Sequence, residues 1–371
     1  MSADDLPPEP DKLDGAPHPR EALKHIGQGA AEAAFLEAFS ADRLHHAWMI
    51  TGPKGIGKAT LAWRVARFLL ATPPPDDGGL FGAPPPPESL DIDPEHPVAR
   101  RLLARSAPGL FSLTRSVVET TGRMSREIRI EDVRRLRSFF AMSAADGGRR
   151  VALVDAADEM NPNAANALLK VLEEPPEGAV LLLIAHQPSA LLPTVRSRCR
   201  VLRCAPVGEA DMAAALAQAG STPSDPQSLS TLAAGSAGAA VRLETEGGTE
   251  LYAALLDLLA GLPQLDRAKA AKLAETVAQR GAEARLTLLL DLLDILLARL
   301  ARAGVAGPPS PEAAQGEAAT LTRLCPTPAA AQRWAALAQT LSDRARRGAA
   351  VNLDPASLIF DTLLRLEENA A

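Results

Sequence analysis

The feature that most restricts how this 371-residue chain can fold is a nine-residue turn, Gly52-Pro53-Lys54-Gly55-Ile56-Gly57-Lys58-Ala59-Thr60. It follows a short apolar run at 47–50 and opens a helical pattern at 60–71. That is the strand–turn–helix setting in which a phosphate-binding loop works. Gly52 closes the strand, while Gly55 and Gly57 let backbone N–H groups turn inward around an anion, helped by the positive end of the helix dipole. Lys58 carries a mobile ammonium suited to terminal phosphates. Strand, glycines, lysine and helix in this order favour a phosphate loop over a ligand-free turn.

Such a loop needs a parallel sheet behind it. Two apolar runs, 151–154 and 180–185, are bounded by turn or helix signals as buried parallel strands are, and 110–113 and 201–204 read as shorter strands. Between them lie a helix at 130–142, with Val133, Leu136, Phe139 and Phe140 inward, and one at 163–174 stopped by Pro175-Pro176. Helix-compatible spacing also runs from 21 to 39 through Leu23, Ile26, Ala33, Phe35, Leu36 and Phe39. Alternation of this kind specifies an α/β domain whose parallel sheet is covered on both faces.

After Pro206 the strand signals end. Helices at 209–219, 226–234 and 237–244 form a small unit, and Ala/Leu-rich helices continue from 249 to 366. The expected organisation is a disordered N-terminus at 1–20, an α/β nucleotide-binding domain at 21–206 with a mobile Pro/Gly-rich loop at 72–97, a helical lid at 207–246, and an all-helical C-terminal domain at 247–371. Residues are 47% hydrophobic but only 3% aromatic, so the cores must be built from Leu, Ala and Val, which suits helices.

Charge and cysteines exclude several classes. A net charge of −6 argues against a protein that grips nucleic acid alone. The most basic stretch, Arg123 to Arg137, is interleaved with Glu127, Glu131 and Asp132 and reads equally well as a solvated helix face. Cys199, Cys204 and Cys325 have no metal spacing, and an odd count does not make a disulfide framework. The acidic, Pro-rich start is unlike a signal peptide. The Leu-rich run 285–300 is interrupted by Asp291, Asp294 and Arg299, which fits a buried helix or subunit interface rather than a membrane span. A cytoplasmic protein is expected.

The nucleotide apparatus has gaps. A phosphate loop normally places Ser or Thr directly after its lysine to meet Mg²⁺; here that position is Ala59. Thr60 lies one place later, about 100° further round the helix, which leaves Mg²⁺ coordination open. The strand 151–154 ends in Asp155, where a metal-orienting carboxylate belongs. Ala156 follows, and an alanine cannot serve as the general base that polarises water. Asp158 and Glu159 lie past the strand end and read as exposed charges.

Three blocks together resemble a known family. Leu44-His45-His46-Ala47-Trp48 with the loop and its helix, residues 157–176 with Asn166-Ala167-Leu168-Leu169-Lys170-Val171-Leu172-Glu173-Glu174-Pro175-Pro176, and Leu192-Pro193-Thr194-Val195-Arg196-Ser197-Arg198-Cys199 are similar to bacterial clamp-loader subunits of the delta-prime type. The specific matches span about 44–70 and 145–206. The resemblance implies an AAA+ fold with a C-terminal collar domain. It also implies a place beside delta and gamma/tau subunits in a five-membered ring that sets a sliding clamp on primer-template DNA, with no membrane role. It maps Arg198, in the Ser-Arg-Cys segment, onto the arginine finger that reaches a neighbour's ATP.

Departures from the family pattern point the same way. The lid segment Gly235-Ser236-Ala237-Gly238 lacks its nucleotide-contacting arginine, and Ala185 replaces a polar sensor, with His186 beside it given no role. No cysteine occurs between 72 and 108, so the zinc module of many relatives is not expected. Gly52, Gly55, Gly57, Lys58, Ala59, Thr60 and Asp155 are the expected nucleotide-binding positions, holding ATP without efficient hydrolysis. An active motor subunit would need an intact Lys-Thr/Ser pair and a strand ending Asp-Glu. A stand-alone nucleotide enzyme would leave Ser-Arg-Cys and the helical C-terminal domain unexplained. A scaffold that has lost nucleotide binding stays open.

Overall fold

The computed structural model describes residue 9 and residues 12–72, 85–118, 123–141, 148–223, 225–279, 281–351 and 353–370. Most of the first eleven residues, positions 73–84 of the Pro/Gly-rich loop and Met142 lie outside the described residues. The chain divides into two compact units. One comprises Met1–Ser221 with Gly235–Gly238, the other Thr222–Ala234 with Ala239–Ala371. The division runs through the stretch read as a lid.

The first unit is built on five parallel strands: β1 (Ala47–Thr51), β2 (Leu110–Leu113), β5 (Arg150–Val154), β6 (Ala179–Ala185) and β7 (Arg200–Arg203). Their order is β2-β5-β6-β1-β7. A separate two-stranded ribbon pairs β3 (Val117–Val118) with β4 (Arg123–Met124) antiparallel. The phosphate-loop strand β1 is thus an interior strand beside the edge strand β7, with β6 between it and the acid-tipped strand β5.

Side chains alternate across the sheet as strand geometry demands. Trp48 and Ile50 join Phe35 of α1 (Gly29–Ser40) and Leu61, Val65 and Phe68 of α2 (Lys58–Ala71) on one face. Ala47 and Met49 join Leu136 and Phe140 of α4 (Ile130–Ala141) and Leu168 of α5 (Pro162–Glu173) on the other. Every residue of β1 and β6 is buried, which is why these runs are apolar throughout rather than alternating. A short helix, α3 (Pro97–Leu103), adds Leu102 to the first face.

The chain start departs from the sequence reading. Helix α1 begins at Gly29, not near residue 21. Gly27 takes a positive φ of 75°, and the preceding carbonyls are captured elsewhere: Arg67 donates to Ala22 O at 3.1 Å and to Arg20 O at 2.5 Å, and Arg64 to Leu23 O. Nor are residues 18–20 loose. His18 and Arg20 are buried, with the His18 imidazole and the Arg20 guanidinium set against Trp63 of α2. Two arginines buried in a helix otherwise facing the core supply the donors that hold this segment down.

The second unit is all helix: α8 (Pro226–Ala233), most of α9 (Ala237–Thr245), α10 (Gly248–Ala260), α11 (Arg267–Val277), α12 (Glu283–Ala306), α13 (Glu317–Leu324), α14 (Pro328–Ala350) and α15 (Pro355–Ala370). Helix α7 (Glu209–Gln218) belongs to the first unit. The Leu-rich helix α12 packs chiefly along α14 and also touches α10, α11 and α13. Leu288, Leu289, Leu292, Leu293, Leu296, Leu297 and Leu300 are buried, so an apolar circumference is matched by neighbours on several sides.

Candidate phosphate-binding site

The loop between β1 and α2 takes the shape its glycines permit. Gly52, Gly55 and Gly57 have φ values of 145°, 80° and 92°. A side chain at Gly52 would put its Cβ 2.5 Å from Ile56 and 2.7 Å from the Cys204 carbonyl. At Gly57 it would strike His25 Nε2 at 2.6 Å. Both positions combine left-handed or extended-positive backbone with no free space, so only glycine fits.

Each carbonyl of the loop finds a donor within the chain. Lys58 Nζ donates to Gly52 O at 2.8 Å and to Pro53 O at 2.6 Å. Ser236 Oγ donates to Lys54 O at 3.0 Å, and Gly238 N to Gly55 O at 2.8 Å. Gln28 Nε2 lies 3.4 Å from Ile56 O, and Leu61 N donates to Gly57 O at 3.0 Å. Gln28 also clasps Ala205, two residues past the end of β7, accepting from its N–H at 2.9 Å and donating to its carbonyl at 2.6 Å.

The electrostatics suit an anion. Burial lowers the Lys58 ammonium to about 8, against the opposing influence of Cys204, Asp155 and Asp158. His186 is held neutral, near 4, by burial and then by the Lys58 charge, with Asp158 opposing. His25 falls to about 4 through burial and the nearby Arg64. The loop thus presents a partly desolvated ammonium beside neutral imidazoles, at a helix start whose N–H groups favour negative charge.

The positions expected to complete a hydrolytic centre are filled by small apolar groups. Ala59 packs against the core beneath α2, and Thr60 is half-buried one position on. Asp155 follows β5, its N–H donating to Leu113 O at 2.9 Å, and Ala156 behind it is buried. Ala185 is buried at the end of β6, in register with Thr51. Gly238 lies against Gly55, where a Cβ would come within 2.9 Å of Gly55 Cα. Among the described residues no cluster of metal-binding side chains occurs, and no helix is long and apolar enough to cross a membrane.

Asp158 and Glu159 are not the exposed charges the sequence suggested. Asp158 accepts from His186 N at 3.0 Å and Gln187 N at 2.9 Å, tying the end of β6 to the turn after β5. Glu159 pairs with Arg115 at 2.8 Å. Gln28, Ser236 and Asp158 are therefore site-building residues that the sequence reading missed. The pair of glycines around Gln28, inside a supposed helix, was the available signal for the first of them.

Arg198 stands apart from Lys58. It sits between the short helix α6 (Pro193–Arg196) and β7, half-exposed, with its guanidinium 3.0 Å from Glu173 and from Thr194 O. The next residue, Cys199, packs against the core and its thiol is pushed up to about 12 by burial. The half-buried cysteine anchors the turn while Arg198 stays half-exposed.

Residues 27–208 match the family model described as DNA polymerase III, delta subunit. The chain is 37% identical over 250 residues to DNA polymerase III subunit delta' of Pseudomonas aeruginosa, covering 66% of this chain and 68% of that protein. It is 34% identical over 160 residues to the Yersinia pestis delta' subunit, covering 43% and 42% of the two. Over 180 residues it is 28% identical to the Mycobacterium bovis gamma/tau subunit, spanning 48% of this chain and 28% of that longer one. Among solved structures, a DNA polymerase III gamma subunit-related protein of Thermotoga maritima aligns at TM-score 0.40 and 20% identity, over 91% of this chain and all of that one. By its phosphate-loop domain and by its likeness to more than two thirds of a delta' subunit, the chain belongs to the delta' family of DNA polymerase III clamp-loader components.

Proposed function

We propose that this subunit serves the clamp-loader ring as a stator and arginine-finger donor, with little ATP hydrolysis at its own phosphate loop. The observation that carries the reading is the contrast within that loop. Lys58 and three glycines at positive φ are present, yet Ala59, Ala156, Ala185 and Gly238 stand at the surrounding positions. The glycines and Lys58 fit a nucleotide's phosphates, with Asp155 near enough to Lys58 to act on its charge. Bound ATP would supply the phosphoryl group, but the position after Asp155, where a base would activate water, is Ala156. Without a hydroxyl at Ala59, Mg²⁺ would have to be held by Asp155 and the phosphates.

Arg198 is the residue that would act on a neighbour. Its contact with Glu173 is a half-exposed pair, which costs only about 0–1 kcal/mol to give up, so the guanidinium can be redirected toward phosphate charge across an interface. In this reading the partners are the delta and gamma/tau subunits of a five-membered ring, the sliding clamp, and primer-template DNA reached through the assembly. The direct test is steady-state ATPase of the purified full-length chain, beside equilibrium titration with ATP. Saturable binding without measurable turnover is expected; turnover comparable with a motor subunit would overturn the non-motor reading.

A further inference from the structure

The segment Gly235–Gly238 is fastened to the phosphate loop on one side and to the end of the sheet on the other. Toward the loop, Ser236 Oγ reaches Lys54 O at 3.0 Å and Gly238 N reaches Gly55 O at 2.8 Å. Toward the sheet, Val207 N donates to Gly235 O at 2.8 Å. Ser236 is buried. The two glycines are demanded by contact as well as conformation. Gly235 has φ +82° and a Cβ there would lie 2.5 Å from Pro206; at Gly238 it would lie 2.9 Å from Gly55 Cα and 3.1 Å from Gly55 O.

We infer that residues 235–238 are a built-in strap, with Ser236 and Gly238 as positioning residues that fix the phosphate loop in its anion-ready shape whether or not nucleotide is present. The inference rests on reading 52–60 as a phosphate loop, not on the role of Arg198. Its physical basis is that donors from the strap, from Gln28 and from Lys58 already orient the carbonyls of residues 52–56. A ligand shifts an equilibrium only by binding two conformations differently. A loop held in one shape by its own chain gives bound nucleotide little to shift. The absence of an arginine at 238 follows too: any side chain there must push the strap off Gly55, so Gly238→Arg would break the clasp rather than restore a phosphate contact.

Hydrogen–deuterium exchange on the full-length chain tests this through the Gly238 amide, whose acceptor is Gly55 O. In the nucleotide-free wild type that amide is expected to be protected. Ser236→Ala, which removes the hydroxyl that bonds Lys54 O and adds no atoms, should speed its exchange by about tenfold, while amides of β5 and β6 are unchanged. Gly238→Ala should do the same more severely, with ATP affinity lowered rather than raised. If the Gly238 amide exchanges freely without nucleotide and becomes protected only when ADP is added, the strap is ligand-induced and the inference fails. That failure would leave the ATPase result untouched, and the converse also holds.

Discussion

Lys58 concentrates the chemistry of the site into one proton. Its ammonium is buried and titrates near 8 in the free loop, and a phosphate favours the charged form, raising that value on binding. Affinity for ATP should therefore be full below about pH 8 and weaken as pH rises above it. Calorimetric titration of the full chain between pH 6 and 10 checks the sign, and Lys58→Ala should lower affinity and flatten the dependence. The loop was legible in sequence because its glycines, lysine and helix are contiguous. Its anchors were not. Ser236 meets Lys54 across 182 positions and Gln28 meets Ala205 across 177, distances over which spacing says nothing. Asp158 was misjudged for a similar reason, since its partners are backbone N–H groups at the end of another strand.

At the level of elements, the apolar periodicities located most strands and helices to within a residue or two, because a buried parallel strand or an enclosed helix has few other sequence solutions. Helix α12 shows what periodicity leaves out. Arg299, read as a charge interrupting the Leu-rich run, reaches across to Glu317 at the start of α13 at 2.5 and 2.9 Å. Glu317 is fully buried and also accepts from Tyr252 at 2.6 Å and Ala313 N at 2.6 Å. Burial alone would raise the Glu317 carboxyl, but the Arg299 and Tyr252 donors outweigh it and hold it below the usual carboxylate range. A carboxylate depressed on folding adds stability above its unfolded value of about 4.3, and that stability is lost as pH falls through the folded value. Glu317→Gln should accordingly flatten the acid side of the stability curve. Glu317→Ala, which leaves Arg299 without its buried partner, should cost about 3–5 kcal/mol, measurable by urea unfolding at neutral pH.

For the molecule as a whole, composition spoke mainly by exclusion. A net charge of −6 argues against independent DNA binding, and the Ala/Leu-rich helices of the second unit argue for extensive packing. Neither could say that the loop would be surrounded by Ala59, Ala156, Ala185 and Gly238, the set of residues on which the proposed non-motor role rests. The consequence is that chemistry is expected at a neighbour's site rather than here. The measurement that reaches this claim most directly is DNA-stimulated ATPase of the reconstituted clamp loader containing Arg198→Ala, beside Arg196→Ala as a surface control. An arginine finger is worth on the order of 10³–10⁵ in turnover at the site it serves. The Arg198 variant should therefore lose essentially the whole contribution of the adjacent motor site while the Arg196 variant matches wild type. Equal turnover in all three assemblies would contradict the account.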